Sequence, residues 1–422
     1  MTGTGRGRTA LPALLVLAAG CAESPSPGHP LPRLSGEITE LESPARPGSG
    51  QPNLALASDR SALLSWVEPT GEEEDGHTLF FARLRESGWE APTRIASGSD
   101  WFVNWADFPS LAALADGTLF AHWLRRSGPG TYAYDVTLAL SRDGGRTWSE
   151  PLTPHRDGTR SEHGFVAMAP LSESRMGVVW LDGRKTVDER GELRPHEAPE
   201  VEMALRFAAV DSEGRVSEER ELDPRVCDCC QTGAAPLPEG LLAVYRDRSG
   251  EELRDIAAVR MVAGRWSAPE PVASDGWRIS GCPVNGPAVA AAGPRLAVAW
   301  FGAPDEKAHA RVAFSTDAGA GWGPGLRVDD GRPLGRVGVA LMPGGDALVS
   351  WMEQVESGAE LRVRRVSSGG GLSTSRTVAG TDATRSSGFP RMVVTRDRAL
   401  FAWRDAGSPP RVRTASLALD AP

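Results

Sequence analysis

Short apolar segments recur along the chain, and each ends in an aromatic residue that is followed by a polar, glycine-rich stretch. These aromatic positions are Trp66, Trp123, Trp180, Tyr245, Trp300, Trp351 and Trp403. They are spaced roughly 50 to 65 residues apart, with little helical periodicity between them, which is typical of a β-propeller built from four-stranded antiparallel blades. The pattern therefore predicts an all-β chain with seven repeats.

A second apolar landmark follows the first in most repeats. It is Trp89, Trp148, Trp266 and Trp322, with Leu372 in the equivalent place of the sixth repeat. A proline follows closely after each of these tryptophans, and proline suits an outermost strand because it has no N–H group to donate to a ladder. We expect these side chains to pack between neighbouring blades, so both sets of tryptophans are predicted to be scaffold rather than ligand-stacking residues.

The last repeat, residues 389–419, has room for only three strands. The segment 33–43, which precedes the first repeat, can supply the missing outer strand and close the ring. We therefore predict a single propeller over residues 33–422 with seven blades. Six blades remain the alternative.

The charge balance excludes one class of partner. The chain has 46 basic and 55 acidic residues, which gives a net charge of −9. A protein that binds nucleic acid by broad cationic attraction needs the opposite sign, so no nucleic-acid partner is expected.

The N-terminus carries a targeting pattern over residues 1–21. Arg6 and Arg8 precede an apolar run from position 10 to 19, which is too short to span a bilayer. The run ends in Leu-Ala-Ala-Gly-Cys at residues 17–21, which resembles a bacterial lipobox and implies lipidation of Cys21. A Pro/Ser-rich tether, residues 22–32, follows. We therefore expect a protein of the bacterial cell envelope, anchored to a membrane by lipid and facing the periplasm or the exterior; the alternative is an ordinary secreted protein.

Two turn motifs make the fold resemblance specific. Residues 141–148 read Ser-Arg-Asp-Gly-Gly-Arg-Thr-Trp and match the Asp-box of sialidase-like propellers, and residues 315–322 match it with Gly in place of Thr. In that family the motif lies between the third and fourth strands, on the face opposite the active site. Most of the mature chain also resembles a group of bacterial sialidase-like lipoproteins. The resemblance implies an architecture and not a reaction.

Propeller topology places two kinds of loop on one face: those that enter each innermost strand and those that leave each second strand. The predicted entry positions are Gln51, Phe108, Phe165, Cys230, Asn285, Arg336 and Gly388. The polar residues near them include the candidate ligand-binding residues His163, Asn285, Arg246, Arg248, Arg336 and Arg404. Arginine forks suit a carboxylate or phosphate, which favours a glycan or another anionic ligand. The alternatives are that these loops are polar because they are solvated, and that Arg246, Asp247 and Arg248 form ion pairs between blades.

Four cysteines, Cys227, Cys229, Cys230 and Cys282, precede the innermost strands of two adjacent blades. In an oxidising compartment they predict two disulfides that join the two entry loops, although the adjacent Cys229 and Cys230 are not expected to pair with each other. A second hypothesis is a Cu(I) or Zn²⁺ site made of three or four thiolates, with His163 as a further ligand. No cofactor follows from the sequence with certainty.

The sialidase resemblance implies three arginines, a tyrosine nucleophile with a glutamate, and an aspartate as acid and base. The chain departs from this set, because residues 49–53 lack the Arg-Ile-Pro motif and no tyrosine follows Tyr245. A hydrolase would need another carboxylate pair, such as Asp107 with Glu162 or Asp247. Three hypotheses therefore remain: a binding propeller, a glycoside hydrolase and a metal-binding lipoprotein.

Overall fold

The computed structural model describes residues 1–3, 33–71, 75–188, 192, 194 and 202–419. Within these ranges the regular structure is β-strand, apart from two short 3-10 helices, Pro304–Glu306 and Arg385–Ser387. In chain order the strands are β1 (Ile38–Leu41), β2 (Gly50–Leu56), β3 (Ala62–Pro69), β4 (His77–Arg85), β5 (Gly88–Trp89), β6 (Thr93–Gly98), β7 (Ser110–Ala113), β8 (Leu119–Arg126), β9 (Tyr134–Ser141), β10 (His163–Pro170), β11 (Arg175–Asp182), β12 (Met203–Asp211), β13 (Val216–Val226), β14 (Gly233–Leu237), β15 (Gly240–Arg246), β16 (Ile256–Val262), β17 (Arg265–Trp266), β18 (Glu270–Ala273), β19 (Ala288–Ala292), β20 (Arg295–Gly302), β21 (His309–Ser315), β22 (Leu326–Arg327), β23 (Pro333–Leu341), β24 (Ala347–Val355), β25 (Gly358–Val366), β26 (Arg376–Thr381), β27 (Arg391–Val394), β28 (Arg398–Asp405) and β29 (Arg411–Ala418).

These strands form seven antiparallel sheets, which are the blades of a propeller. In order along the chain, blades 1 to 7 are β2–β6, β7–β9, β10–β13, β14–β18, β19–β22, β23–β26 and β27–β29 with β1. Their innermost strands, β2, β7, β10, β14, β19, β23 and β27, neighbour one another in a closed ring. The predicted seven-bladed propeller is confirmed, and the six-bladed alternative is not needed.

Blade 7 is completed by the N-terminal strand. β1 pairs with β29 in antiparallel register, with Ile38 opposite Leu417 and Leu41 opposite Thr414. Arg413 and Glu40 form an ion pair between the two strands. The chain is thus closed by an outer strand from the start of the propeller, as the sequence predicts.

The core lies between the blades and uses the landmark aromatic residues. Trp66, Trp180, Trp300 and Trp351 are fully buried on the second strands of their blades. In three blades the indole N–H donates to an acid two residues later, as from Trp66 to Glu68 at 2.7 Å. Trp148 of blade 2 packs edge-on against Phe81 of blade 1, with ring centroids 6.0 Å apart. The second landmark is therefore an inter-blade contact, as expected.

The two motif turns are closed by their own side chains. Ser141 Oγ donates to Asp143 at 2.8 Å and accepts from the backbone N–H of Gly145 at 2.8 Å. Ser315 makes the equivalent bonds to Asp317 at 2.7 Å and from Gly319 at 3.0 Å. Each turn follows the third strand of its blade, so it lies on the face opposite the entry loops.

The part of the chain described here contains no helix long and apolar enough to cross a membrane. The predicted signal segment beyond residue 3, Cys21 and the tether at 22–32 lie outside the described residues.

Candidate functional site

The loops that enter the innermost strands meet around an axial channel of about 590 Å³. Its wall is mostly alanine, valine and other apolar side chains from all seven blades. The polar groups on it include Asn53, Asp107, Ser110, Gln231 and Arg391. Although most of these side chains are apolar, polar atoms make up about half of the channel's exposed surface, which suits a polar ligand.

Three entry loops reach the channel through β-bulges. Gln51, Phe165 and Arg336 have φ values of 48°, 52° and 53°, and the register of β2, β10 and β23 shifts beside each of them. A bulge changes the direction in which a strand's side chains point. Three of the seven entry positions predicted from the sequence therefore coincide with places where strand alternation fails.

Arg391, at the start of β27, is one of two arginines that line the channel, and the other, Arg60, is exposed in the loop after β2. No hydrogen bond or ion pair reaches the Arg391 side chain from the residues that the structure describes, although its guanidinium carbon lies 5.0 Å from the centre of the Phe108 ring. Desolvation lowers the pKa of Arg391 to about 10, so the group remains charged at neutral pH without a counter-ion. The residue is half-buried, and an unpaired guanidinium that has lost part of its hydration favours an anion.

Aromatic side chains surround this arginine at the mouth. Phe389 lies between Trp105 and Phe108, with ring centroids 5.8 Å and 5.6 Å away. The Trp105 ring is in turn contacted by Arg336, whose guanidinium carbon lies 5.4 Å from it. The mouth thus combines flat apolar surfaces with a free positive charge.

A carboxyl pair lies beside the channel in blades 2 and 3. The buried Tyr134 hydroxyl is 2.8 Å from Glu162 Oε1 and 3.1 Å from Asp107 Oδ2. Asp107 also accepts the backbone N–H of Phe165 at 2.8 Å. Burial raises the pKa of Asp107 to about 7 and that of Glu162 to about 8, against the opposing hydrogen bonds. The structure therefore brings two of the three candidate catalytic carboxyls together.

The third candidate, Asp247, belongs to another group. It follows β15 and accepts the backbone N–H of Arg248 at 2.7 Å. Burial raises its pKa, and the nearby Asp223, which binds the Tyr245 hydroxyl at 2.5 Å, adds to this effect.

Most of the predicted ligand-binding arginines are used within the protein. Arg246 donates to the carbonyl oxygens of Asn285, Arg254 and Phe301 at 2.6–3.0 Å. Arg336 donates to Ser387 Oγ and to the carbonyl oxygens of Gly388 and Thr384. Arg248 is held by Asp228 and Glu252 at 3.0 Å and 2.9 Å, and Arg404 donates to the Ser386 carbonyl. Arg246 thus joins blades 4 and 5 through carbonyl oxygens and Arg248 forms its ion pairs within blade 4, so the described residues do not form the alternative network of ion pairs between blades. Arg391 has no such partner within the described chain.

Asn285 is likewise a structural connector. Its carbonyl accepts from Arg246, and its side-chain oxygen accepts the backbone N–H of Arg336 at 2.7 Å. Gly335 lies so close that a Cβ atom there would be 2.2 Å from that oxygen.

The cysteine cluster contains one disulfide, between Cys229 and Cys282. It joins the entry loops of blades 4 and 5. Cys227 and Cys230 are buried free thiols whose sulfurs lie 3.0 Å apart. Of the two predicted disulfides the structure therefore contains one.

The sulfurs of Cys227, Cys229 and Cys230 lie within 4.8 Å of one another, so a cysteine triad that could bind metal is present. Because Cys229 is bonded to Cys282, two thiols remain as ligands. The hydrogen bond from Cys230 and the positive charges of Arg246 and Arg254 lower the pKa of Cys227 to about 6, against burial.

His163 lies away from the sulfurs, in a group of histidines and carboxylates. Its ring stacks on that of His155, with centroids 3.9 Å apart and planes 10° from parallel. Burial by itself lowers the pKa of His163, but hydrogen bonding to Asp135 and Asp157 outweighs it and raises the pKa to about 10. The structure therefore places His163 among histidines and carboxylates, and not beside the cysteines as the sequence predicted.

Sequence reasoning missed Arg391, Tyr134 and His155. Arg391 stands three residues after the predicted entry position Gly388, where a search of the first strand residues would have found it. Tyr134 is the first residue of β9, the third strand of blade 2. The starts of third strands lie on the same face as the entry loops, but no candidate residue was taken from them. His155 lies in a long inter-blade loop that has no landmark.

No model of a known protein family matches the chain, and no curated protein matches it. Among solved structures, a protein of unknown function from Dyadobacter fermentans matches with a TM-score of 0.54 and 14% identity over 91% of this chain and 98% of that one. An α-L-arabinanase from Penicillium chrysogenum matches with a TM-score of 0.48, 14% identity, and 90% and 98% coverage. A sialidase from Trypanosoma rangeli matches with a TM-score of 0.46, 9% identity, and 79% and 56% coverage.

At these identities the matches indicate similarity of fold alone, and no conclusion is drawn from the two with TM-scores below 0.5. The propeller fold implied by the resemblance of residues 141–148 and 315–322 is shown by the seven sheets themselves.

Proposed function

We propose that the protein is a lipid-anchored propeller of the bacterial cell envelope that binds an anionic glycan at its axial mouth. The observation that carries this proposal is the guanidinium group of Arg391, which faces the channel without a counter-ion in the described chain. Charge-assisted hydrogen bonds from arginine to a carboxylate are among the strongest that a protein can offer a ligand.

The surroundings of Arg391 favour a sugar over a small inorganic anion. The half-buried ring of Phe108 lies next to the charge, and the channel of about 590 Å³ is large enough for one or two sugar rings. A uronic or sialic acid combines a carboxylate with the apolar face of a pyranose ring, so it matches both features.

The disulfide supports a mouth of fixed shape. Cys229 and Cys282 belong to the entry loops of blades 4 and 5, and both loops border the channel through Gln231 and Gly286. We propose that this bond holds the two loops in their binding position, which lowers the entropy cost of ligand binding.

The experiment that tests the proposal is calorimetric titration with oligogalacturonate and N-acetylneuraminic acid, with a neutral cello-oligosaccharide as the comparison. We expect an acidic ligand to bind, and Arg391→Gln to weaken it about 10- to 100-fold, which is the usual value of a hydrogen bond to a charged group. Arg146→Gln is the matched control, because Arg146 is an exposed arginine of the motif turn on the opposite face. Equal binding of the neutral sugar, or unchanged binding by Arg391→Gln, would overturn the proposal.

A second candidate function, glycoside hydrolysis, is favoured by one arrangement. Tyr134 is hydrogen-bonded to both Glu162 and Asp107, and the sialidase resemblance implies a tyrosine paired with a glutamate. If this group is catalytic, Tyr134→Phe abolishes turnover of aryl sialosides or uronides. Tyr245→Phe is the matched control, since Tyr245 is also buried and bound to a carboxylate, Asp223. Equal turnover in both variants rules out this candidate.

The anchor is tested by fractionation. We expect the wild type in the membrane fraction of a Gram-negative host and Cys21→Ser in the soluble or precursor fraction, because lipidation requires that thiol. Recovery of the wild type in the soluble periplasm would contradict lipid anchoring but would leave the proposal about the ligand unaffected.

A further inference from the structure

Two histidines and three aspartates meet between blades 2 and 3, outside the channel. They are Asp135 at the start of β9, His155 and Asp157 in the loop that follows blade 2, His163 at the start of β10, and Asp182 at the end of β11. His155 and His163 are buried, with 7% and 0% of their surfaces exposed.

The two imidazole rings have opposite orientations in their stack. Asp157 Oδ2 lies at one edge, 3.1 Å from His155 Nδ1 and 3.3 Å from His163 Nε2. Asp135 Oδ1 lies at the other edge, 3.9 Å from His155 Nε2 and 3.4 Å from His163 Nδ1. Each aspartate therefore faces one nitrogen of both rings.

The Asp135 edge contains a nitrogen that lacks a partner. His155 Nε2 is buried and makes no hydrogen bond within the described chain, and Asp135 Oδ1 lies 3.9 Å from it. His163 Nδ1, at the same edge, faces Asp135 Oδ1 at 3.4 Å and the Tyr134 carbonyl oxygen at 3.2 Å. Buried polar atoms are nearly always satisfied, so the bare His155 Nε2 indicates a missing group at this edge.

We propose that His155 Nε2, His163 Nδ1 and Asp135 Oδ1 bind a divalent first-row transition metal, of which Zn²⁺ fits best. Ligand atoms around tetrahedral Zn²⁺ lie about 3.3 Å apart, given bond lengths of about 2.0–2.1 Å. The distances of 3.4 Å and 3.9 Å to Asp135 Oδ1 are close to this spacing. Because the two rings stack in nearly parallel planes, one imidazole must turn out of the stack, and His163 Nδ1 must leave the Tyr134 carbonyl oxygen, before both nitrogens face one metal. Two imidazoles and a carboxylate form a donor set that suits zinc better than Cu(I) or Ca²⁺.

The remaining carboxylates support the ligands instead of binding the metal. Asp157 accepts from His155 Nδ1, which is the outer-shell arrangement that orients a metal-bound imidazole. Asp182 is already paired with Arg184, at 2.7 Å, and Arg184 also lies 3.1 Å from Asp157.

Three protein ligands leave a fourth position open, as in zinc sites that bind water or a substrate oxygen. Asp135 gives this position an exit, because 32% of its side chain is exposed. The proposal does not depend on anion binding at Arg391, since no residue is shared between the two sites.

Elemental analysis and titration of the chelator-treated protein with Zn²⁺ test the site. We expect one zinc per chain, a rise in Tm on zinc addition, and at least a 100-fold loss of affinity in His155→Gln and in Asp135→Asn. His309→Gln is the matched control, because His309 is buried beside a single carboxylate, Asp275, at 3.2 Å. Asp135→Asn keeps the test valid if the buried His155 variant fails to fold.

A cysteine double variant, Cys227→Ser with Cys230→Ser, separates this site from the thiols. Zinc retained in the double variant and lost in Asp135→Asn supports the proposal, as does a Co²⁺ spectrum without a thiolate charge-transfer band. The proposal is overturned if zinc is lost only in the cysteine double variant, if Asp135→Asn retains zinc, or if the wild type never binds it.

Discussion

The backbone of Gly164 lies against the carboxyl group of Asp107, so closely that a Cβ atom on residue 164 would be 2.0 Å from Asp107 Oδ2. Gly164→Ala must therefore displace the carboxyl from the Phe165 N–H that it accepts. We expect a loss of about 2–4 kcal/mol in unfolding free energy, as for other steric and hydrogen-bond disruptions in a core. Urea denaturation measures it.

Gly380→Ala is the control for that variant. Gly380 lies on β26, and a Cβ atom there would have no neighbour within 4 Å. A similar loss of stability in both variants would mean that glycine itself, and not the contact with Asp107, matters at position 164.

Asp107 also predicts how stability depends on pH. Burial raises the pKa of Asp107 from 3.8 to about 7, so the folded protein holds this proton over a range in which the unfolded chain has lost it. The free energy of unfolding is therefore unaffected by this group below about pH 4, falls by up to about 1.4 kcal/mol per pH unit as the pH rises from about 4 to about 7, and does not fall further above that.

Asp107→Asn removes this ionisation and can still accept from Phe165 N–H. We expect the variant to gain stability relative to the wild type between pH 5 and pH 8, measured by urea denaturation at each pH. Parallel pH profiles for the two proteins would show that Asp107 ionises normally in the folded state.

The state of the four cysteines is tested by counting thiols in the denatured, unreduced protein. Cys282→Ser should add one thiol relative to the wild type, since it releases Cys229 from the disulfide. Cys230→Ser should remove one thiol, because Cys227 and Cys230 are both free. If a second disulfide joined them, Cys230→Ser would add a thiol instead.

The same disulfide closes a loop between residues 53 positions apart. In the chain-entropy description such a crosslink stabilises a protein by about 4 kcal/mol. Cys282→Ser should therefore lower the unfolding free energy by up to this amount.

Arg246 is expected to matter for stability more than for binding. Its guanidinium joins three carbonyl groups from blades 4 and 5 and stacks on Trp277, 4.8 Å away. Arg246→Gln leaves buried carbonyls without donors, which costs about 3 kcal/mol or more. Arg220→Gln, at an exposed position of β13, should cost less than about 0.5 kcal/mol. Thermal denaturation compares the two variants.

The blade order could be predicted because its signal is local. An aromatic residue near the end of each second strand, such as Trp180, recurs roughly every 50 to 65 residues, and the short final repeat implies closure by residues 33–43. The loops on the functional face followed from topology for the same reason.

The roles of individual side chains could not be predicted in this way. Arg336 and Arg391 both stand at the start of an innermost strand, but Arg336 has a φ of 53° at a bulge and turns towards Ser387, whereas Arg391 faces the channel. A bulge adds one residue to a strand and so reverses which side chains face the channel after it. No residue type in the sequence marks the position of a bulge. The partners of His155 are equally hidden, because Asp135 and His163 approach it only in the folded ring.

Ring closure can be tested by truncation. Removal of residues 1–43 deletes β1 and leaves β29 as an unpaired outer strand, whose N–H and C=O groups can then pair with another chain. Arg411 would lose the carbonyl oxygen of Ser43, to which it donates at 3.0 Å. We expect a lower Tm and aggregation in size-exclusion chromatography. Removal of residues 1–31 retains β1 and is the matched control, so a monomer of unchanged Tm is expected there. Equal stability of the two truncated proteins would mean that blade 7 is complete with three strands and that β1 only covers its edge.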